Sequence, residues 1–238
     1  MTQKIPEIAG YQIRHCISQG DKVCVYAAVD TMLQMDVAIK VLCLNPDQEL
    51  LPFEVQAKCW LRLRHKHIVP LYRFGRLHSQ ALYYVMPLRT GNGLSRCLAN
   101  ENKARALLSD VLDALAYAHN LNILHGTIRT EQLFFDQHGQ VQLAGFDKII
   151  DATAHADNDA SALYGLAQIA FELLTGRLPG FKSLAPELHY WQEFFARALH
   201  AQPERRFENA AQMRNALSHT KKPVLPIKLE FTIPGNAD

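Results

Sequence analysis

A polar loop followed by a tight hairpin, at residues 123–147, constrains the fold of this chain more than any other stretch. Apolar and β-favouring residues at 132–135 and 141–144 flank the sequence Asp-Gln-His-Gly. Asp and Gly between two such segments are typical of a β-hairpin turn. The stretch therefore predicts a loop that opens at His125, two antiparallel strands, and a Gly-Phe-Asp sequence after the second strand.

The composition indicates one ordinary globular domain spanning residues 1–238. The chain is 48% hydrophobic and 20% charged with a net charge of +2, which gives no electrostatic reason to expect nucleic acid as a partner. The five cysteines include no C-x-x-C pair, so a reduced, cytoplasmic setting is favoured over a disulfide framework. The sequence predicts no membrane insertion, because its apolar stretches are too short to span a bilayer.

Six segments in a fixed order resemble motifs of eukaryotic-type protein kinases, the group that includes the bacterial Ser/Thr kinases. They are DVAIKVL at 36–42, RHKHIVPLY at 64–72, YAHNLNILH at 117–125, the loop and hairpin at 123–147, FELLTGRLP at 171–179, and PERRF at 203–207. The resemblance implies an α+β bilobal kinase-like fold. An N-lobe with a small antiparallel sheet and one main helix would occupy residues 1–88, and a mostly helical C-lobe residues 89–220, followed by a tail.

The catalytic side chains of that family are replaced in this chain. The family's proton-accepting aspartate falls on Thr127, whose hydroxyl has no accessible anionic form near neutral pH. The magnesium-binding asparagine falls on Gln132, and the aspartate of the D-F-G motif falls on Gly145. Phosphoryl transfer depends on positioning and on neutralisation of charge by metal. The resemblance therefore implies a degenerate member without a metal site.

Two charged residues close to these positions are remnants of the site. Arg129 stands where the family has a lysine that contacts the transferred phosphate, and arginine also binds phosphate. Asp147 stands where the D-F-G glycine belongs. If Asp147 continues the strand, it shares a face with position 145 but lies about 6–7 Å away. A metal site rescued by Asp147 is therefore the less favoured expectation.

The resemblance also implies a nucleotide cleft. Lys40 would pair with the phosphates, although a lysine in a strand can also be a solvated edge residue. Of the three glycines in the family's phosphate loop only Gly20 remains, and an ordinary hairpin turn explains it equally well. The implied cofactor-contacting residues are Lys40, Gly20, Val25, Ala38, Gln56, Met86, Leu88 and Leu133. At most, we expect ATP to bind there without magnesium.

The acid that orients the lysine in the family is also missing. Its place on the main helix falls on Gln56, which could hydrogen-bond Lys40 but cannot neutralise it. Glu54 lies two residues away, on a different face of the helix. We interpret Glu54 as an exposed helix acid.

The second half of the chain departs from the family in three places. The interval between the hairpin and the FELLTGRLP helix is short and contains no A-P-E motif, so the activation segment is expected to be shortened. Arg206 falls on the arginine that pairs with that motif and so lacks its usual partner. Residues 221–238 contain an apolar alternation that predicts an added strand or a strap, with a disordered tail as the alternative.

Three functions follow from these observations. The favoured one is a pseudokinase that acts as a binding, scaffolding or regulatory module for an unknown protein partner, with weak or absent nucleotide binding. The second is an atypical ATP-dependent phospho- or nucleotidyl-transferase that uses Lys40, Arg129 and Asp147. The third is a metal-independent nucleotide sensor. The pair His125-Gly126 also resembles the HGD loop of aminoglycoside-type kinases, but ELLTG and PERRF favour the protein kinases.

Overall fold

The computed structural model describes residues 6–45, 48–78, 80–89, 100–135, 140–147, 155–176, 184 and 186–221. Within these ranges the chain forms an N-lobe built on an antiparallel sheet and a C-lobe built mainly of helices. The α+β bilobal fold predicted from the order of the motifs is confirmed.

The N-lobe sheet has five strands in the order β1-β2-β3-β5-β4. They are β1 (Tyr11–Gln19), β2 (Val23–Asp30), β3 (Met35–Cys43), β4 (Arg73–His78) and β5 (Ala81–Pro87). The sequence did not predict β4. It is an edge strand with no buried residue, so it lacks the apolar alternation by which a strand is recognised.

Strand register divides the sheet into two faces. Tyr26, Ile39 and Val85 lie opposite one another on β2, β3 and β5 and are buried in one apolar cluster. Because neighbouring residues of a strand point to opposite faces, the residues between them lie on the other face. We call that other face the cleft face; it carries Val25, Ala38, Lys40, Tyr84 and Met86.

One helix, α1 (Leu51–Arg62), completes the N-lobe. A proline near its first position suits the start of a helix, where a backbone N–H has no partner within the helix. Trp60 is buried, packs 6.2 Å from the ring of Tyr84 between ring centroids, and donates from Nε1 to the carbonyl of Val69 at 2.9 Å. These contacts attach α1 to the sheet and to the segment that follows the helix.

The C-lobe is organised around α2 (Glu101–Asn120), which packs against α3 (His155–Thr175) and α5 (Ala210–His219). The buried residues of α2 recur at helical spacing: Ala104, Leu107, Leu108, Val111, Leu112, Ala114, Leu115 and Ala118. Asn100 caps α2, where its side chain accepts from the Lys103 N–H at 3.0 Å. A short helix, α4 (Gln192–Ala198), precedes α5.

A buried histidine joins α2 to the hairpin of β6 (Leu133–Phe135) and β7 (Val141–Leu143). His67 Nδ1 lies 2.9 Å from the Val141 carbonyl, and His67 Nε2 lies 3.4 Å from Asp110 Oδ1. The Val141 N–H donates to Asp110 Oδ2 at 2.9 Å. His67 and Asp110 thus bind the carbonyl and the N–H of Val141, the first residue of β7, and fix the position of the hairpin.

Several predicted features have adjusted bounds or cannot be compared. The sequence also predicts a helix from Trp191 to His200. In the structure this helix begins at Gln192 and ends at Ala198, after a 3-10 turn at Pro186–Trp191. α3 begins at His155, soon after Asp147, as a shortened activation segment requires. The hairpin turn at 136–139 and the apolar tail beyond residue 221 lie outside the described residues. A short helix that the sequence also predicts from Leu94 lies outside them as well. No helix in the described part of the chain is long and apolar enough to cross a membrane.

Arg206 has a partner that the sequence did not reveal. Its guanidinium lies 4.2 Å from the centroid of the Tyr164 ring on α3. It also donates to the carbonyls of His200 at 2.7 Å and Ala201 at 3.1 Å. Arg206 therefore fastens the turn before α5 to α3 through an aromatic ring and two carbonyls.

We expect Arg206→Ala to lower the free energy of unfolding by about 1–3 kcal/mol, because it removes a cation–π contact and two hydrogen bonds. Urea unfolding measures the change. Arg205→Ala is the matched control, because its exposed side chain should contribute less than about 0.5 kcal/mol. Equal effects of the two substitutions would contradict this role of Arg206.

Candidate functional site

An ion pair joins the two lobes. Lys40 Nζ on β3 is 2.5 Å from Asp147 Oδ2, which follows β7. The side chain of Lys40 is 24% exposed and that of Asp147 is 7% exposed. The structure therefore places Lys40 on the cleft face with a carboxylate partner, and the alternative of a solvated edge lysine is wrong.

Asp147 reaches Lys40 because the chain leaves the strand before the Gly-Phe-Asp sequence. β7 ends at Leu143, Gly145 has φ +101°, and Phe146 and Asp147 form a turn. The expectation that Asp147 continues the strand is therefore wrong. A positive φ is readily adopted only by glycine, so the local backbone depends on Gly145.

The side chain of Gln132 lies where a side chain at position 145 would begin. A Cβ built on Gly145 would overlap Gln132 Nε2, while Gln132 Oε1 accepts from the Arg129 N–H at 2.8 Å. An aspartate at position 145 would therefore require Gln132 to move. No cluster of three or more His, Cys, Asp or Glu side chains within the described ranges could hold a metal ion.

Gln56 on α1 binds the backbone beside the ion pair rather than the lysine. Its Nε2 donates to the carbonyl of Phe146 at 2.8 Å, whereas the sequence allowed a hydrogen bond from Gln56 to Lys40. The Phe146 ring is buried and meets His125 edge-on at 4.7 Å between ring centroids. His125 Nε2 lies 2.9 Å from the Ala144 carbonyl. These contacts fix the turn that presents Asp147 and give His125 a structural packing role.

Glu54 forms a separate ion pair with Arg76 on β4, and its side chain is only 15% exposed. The interpretation of Glu54 as an exposed helix acid is therefore wrong. The hydrogen bond from Arg76 lowers the pKa of Glu54, so the carboxyl is charged at neutral pH. Since this charge is paired with Arg76, it does not replace the missing acid at position 56.

The loop of Thr127 and Arg129 is held through its backbone. Ile128 is buried, and α3 approaches it so closely that a Cβ on Gly165 would lie 2.7 Å from the Ile128 carbonyl oxygen. Thr127 and Arg129 are both exposed. Among the described ion pairs and hydrogen bonds, none joins the Arg129 guanidinium to Lys40 or Asp147.

The remaining residues expected to contact a cofactor lie on several elements, and three of them share the cleft face with Lys40. Val25, Ala38 and Met86 share the cleft face of the sheet. Leu133 is buried on the C-lobe side, in the cluster against which Met86 packs. Leu88 follows Pro87, the last paired residue of β5. Gly20 donates to the Val23 carbonyl at 2.8 Å, the contact expected of an ordinary hairpin turn.

Comparison with known proteins gives the same picture of the fold. The profile of the family described as protein kinase domain matches residues 11–164. The serine/threonine-protein kinase PrkC of Bacillus subtilis is 26% identical over 200 residues, covering 71% of this chain and 31% of PrkC. The serine/threonine-protein kinase PknL of Mycobacterium tuberculosis is 27% identical over 201 residues, covering 71% of this chain and 50% of PknL.

Solved structures share the architecture. The crystal structure of the Mycobacterium tuberculosis PknI kinase domain aligns with a TM-score of 0.73 at 22% identity. The alignment covers 90% of this chain and 98% of the PknI chain. At this identity the similarity establishes the fold alone. The chain spans half or less of the length of the two curated relatives described above.

We expect Gly145→Ala to lower the free energy of unfolding by at least about 2 kcal/mol, through its positive φ and the overlap with Gln132. In a Gln132→Ala background the loss should shrink by about 1 kcal/mol, because the overlap is gone. Gly10→Ala is the matched control, since Gly10 has φ +86° in open space and should show no coupling to Gln132. Urea unfolding of Gly145→Ala and Gly10→Ala, each alone and combined with Gln132→Ala, measures the coupling. If the losses of unfolding free energy for Gly145→Ala and Gln132→Ala simply add, the overlap is contradicted.

Gln56→Glu restores the family's acid but should destabilise the protein, because a carboxylate cannot donate to the Phe146 carbonyl. The expected loss is about 1–3 kcal/mol at pH 7. A protonated carboxyl can donate, so the pKa of the introduced carboxyl is raised in the folded state. The loss is therefore absent below the unfolded pKa of about 4.3 and grows as pH rises from there through the raised folded-state pKa. Urea unfolding of Gln56→Glu from pH 4 to 7 tests this, with wild type and Gln12→Glu, at an exposed position, as controls. A loss of unfolding free energy that does not change with pH would contradict it.

Proposed function

Because this chain belongs to the protein kinase family, we propose that it is a pseudokinase, a member that retains the cleft but does not transfer phosphate. In this proposal it acts as a binding or regulatory module for a protein partner. The observation that carries the proposal is the ion pair between Lys40 and Asp147, which engages the phosphate-pairing lysine with a residue of the chain itself.

The ion pair is an obstacle to phosphate binding. A phosphate that approached Lys40 would have to displace Asp147 or lie beside its carboxylate. Displacement would leave a carboxylate that is only 7% exposed without its counter-charge, and breaking a buried pair in this way costs about 3–5 kcal/mol. The arrangement therefore favours a cleft in which the lysine has a structural role.

The groups that bind the metal ion and accept the proton in the family are replaced in this chain. Gly145 has no ligand atoms, and the Gln132 amide lies against it and bonds to the loop backbone. Thr127 replaces the proton acceptor. Phosphoryl transfer depends chiefly on positioning and charge neutralisation. These replacements together therefore support a family member that does not transfer phosphate.

A second candidate is the atypical phospho- or nucleotidyl-transferase. The observation that favours it is the position of Asp147, which faces the cleft beside Lys40 although its place in the sequence differs from that of the family's aspartate. In this candidate a substrate would separate the pair, so that Lys40 binds phosphate and Asp147 binds a metal ion. Arg129, exposed on the neighbouring loop, would bind the transferred phosphate.

A phosphotransfer assay separates the two candidates. With labelled ATP, broad protein substrates, and either magnesium or manganese, we expect the full chain to show no more transfer than Lys40→Ala. The transferase would instead show activity that is lost in both Lys40→Ala and Asp147→Ala but kept in Asp36→Asn, which alters an exposed ion pair of the same strand. Activity with that pattern would overturn the pseudokinase proposal.

A further inference from the structure

Positive charge is concentrated in one part of the chain. Residues 55–100 contain eight lysines and arginines and no aspartate or glutamate. The net charge of +2 is therefore the balance between +8 in this segment and −6 in the rest of the chain. Charge separated in this way creates a local potential that attracts a partner of opposite sign, even when the whole molecule is close to neutral.

The cations of this segment lie on the surface. Six of them fall between residues 58 and 76, and all six are exposed: Lys58, Arg62, Arg64, Lys66, Arg73 and Arg76. Among the side chains that the structure describes, Arg76 alone of these six forms an ion pair, with Glu54. The charge of the other five is therefore not neutralised by an ion pair within the described ranges, and it can attract a partner molecule.

Helix α1 places two of these cations in line with two aliphatic side chains. Four of its exposed residues follow one another at spacings of four, three and four: Leu51, Val55, Lys58 and Arg62. At about 3.6 residues per turn they lie within about 60° around the helix axis, in a row about 16 Å long. We call this row the α1 stripe. Leu51 is 59% exposed and Val55 is 50% exposed, so the first half of the stripe is apolar and the second half is cationic.

The α1 stripe is held on a fixed helix. On the opposite side of α1, Ala57 and Trp60 are buried, and Trp60 donates to the carbonyl of Val69. Glu54 joins the helix to β4 through its ion pair with Arg76. A surface whose backbone is already fixed loses little conformational entropy when a partner binds. The stripe is therefore preorganised for binding.

We propose that the α1 stripe binds an amphipathic helix of a protein partner, antiparallel to α1, with Asp or Glu in its first turns and aliphatic side chains after them. The inference rests on the proposed function, in which the chain is a binding module, and it identifies the surface and the chemistry of the partner. The acids pair with Lys58 and Arg62, and the aliphatic side chains cover Leu51 and Val55. Amphipathic helices are commonly recognised through anchors at i, i+4 and i+7.

The direction of the partner helix follows from helix electrostatics. Arg62 lies in the last turn of α1, where the helix carries partial negative charge and a cation is favourable. Acids are favourable in the first turn of a helix for the converse reason. Acids in the first turns of the partner face Lys58 and Arg62 only if the two helices run in opposite directions. Each charged group then stabilises its own helix as well as the complex.

The mixed composition of the stripe favours a protein segment over nucleic acid or a lipid surface. Nucleic acid is held mainly by cations and hydrogen-bond donors on its phosphates, so Leu51 and Val55 would add little to its binding. A helix that lies in a membrane surface buries a broad apolar face, often with Trp, Phe and Leu. Two aliphatic side chains in a narrow row are too few for that role.

Fluorescence anisotropy of labelled synthetic peptides, titrated with the full chain, tests the proposal. The acidic peptide is an alanine-rich helix with Glu at i and i+4 and Leu at i+7 and i+11. One control peptide has Lys in place of Glu, and a second has Ala in place of Leu. We expect the acidic peptide to bind at least about tenfold more tightly than either control, because each control lacks one half of the match. This comparison uses the wild-type chain and does not depend on the folding of a variant.

Charge reversal on α1 tests whether the stripe is the site. In Lys58→Glu/Arg62→Glu we expect the affinity for the acidic peptide to fall at least about tenfold, and the affinity for the Lys peptide to rise by about the same factor. Arg205→Glu/Lys221→Glu is the matched control, because it changes the net charge equally at two exposed residues of the C-lobe. It should leave both affinities within about twofold of wild type, since salt screens distant charges.

Three results would overturn the proposal. The first is no binding of the acidic peptide at about 1 mM. The second is an equal loss of affinity in the two double variants, because the effect would then be one of net charge. The third is tighter binding of phosphatidylserine vesicles or duplex DNA than of the acidic peptide, which would assign the surface to another class of partner. None of these results bears on phosphate transfer, so failure of this proposal is distinguishable from failure of the proposed function.

Discussion

The ion pair between Lys40 and Asp147 is the interaction on which the cleft depends. A carboxylate that is 7% exposed requires a nearby positive charge, and Lys40 supplies it from the opposite lobe. Because Asp147 pairs with Lys40, an acid at position 56 is no longer needed to orient the lysine. It carries instead an amide that donates to the Phe146 carbonyl, beside the residue that forms the pair. The two departures from the family are thus parts of one arrangement.

Gly145 and Gln132 form a second matched set. The positive φ at Gly145 turns the chain so that Asp147 faces Lys40, and the missing side chain leaves room for the Gln132 amide. Gln132 in turn accepts from the Arg129 N–H and stabilises the loop from within. Each replacement is explained by contacts with the other, so they are better understood as a repacked site than as separate losses of ligands.

Most of the fold could be predicted from the sequence, because its signals are local and occur in a fixed order. The motif around Lys40 lies on β3, and the apolar residues of the chain from 104 to 118 recur at the helical spacing that α2 shows. The partners of Asp147, Gln56 and Arg206 could not be predicted, because each contact joins segments far apart in the chain. The expectation for Asp147 was wrong for a local reason. It assumed that the strand continues through Gly145, but the backbone leaves the strand before that residue.

The hydrogen bond from Gln56 and the salt bridge from Lys40 enter one turn of the C-lobe from two different elements of the N-lobe. An active enzyme must open and close around its substrate and product in every cycle. A chain fastened at two points across its hinge would spend little time open. In the proposed role of a binding module, it would present a nearly constant outline to a partner, so that its own abundance would set how much of that partner is engaged.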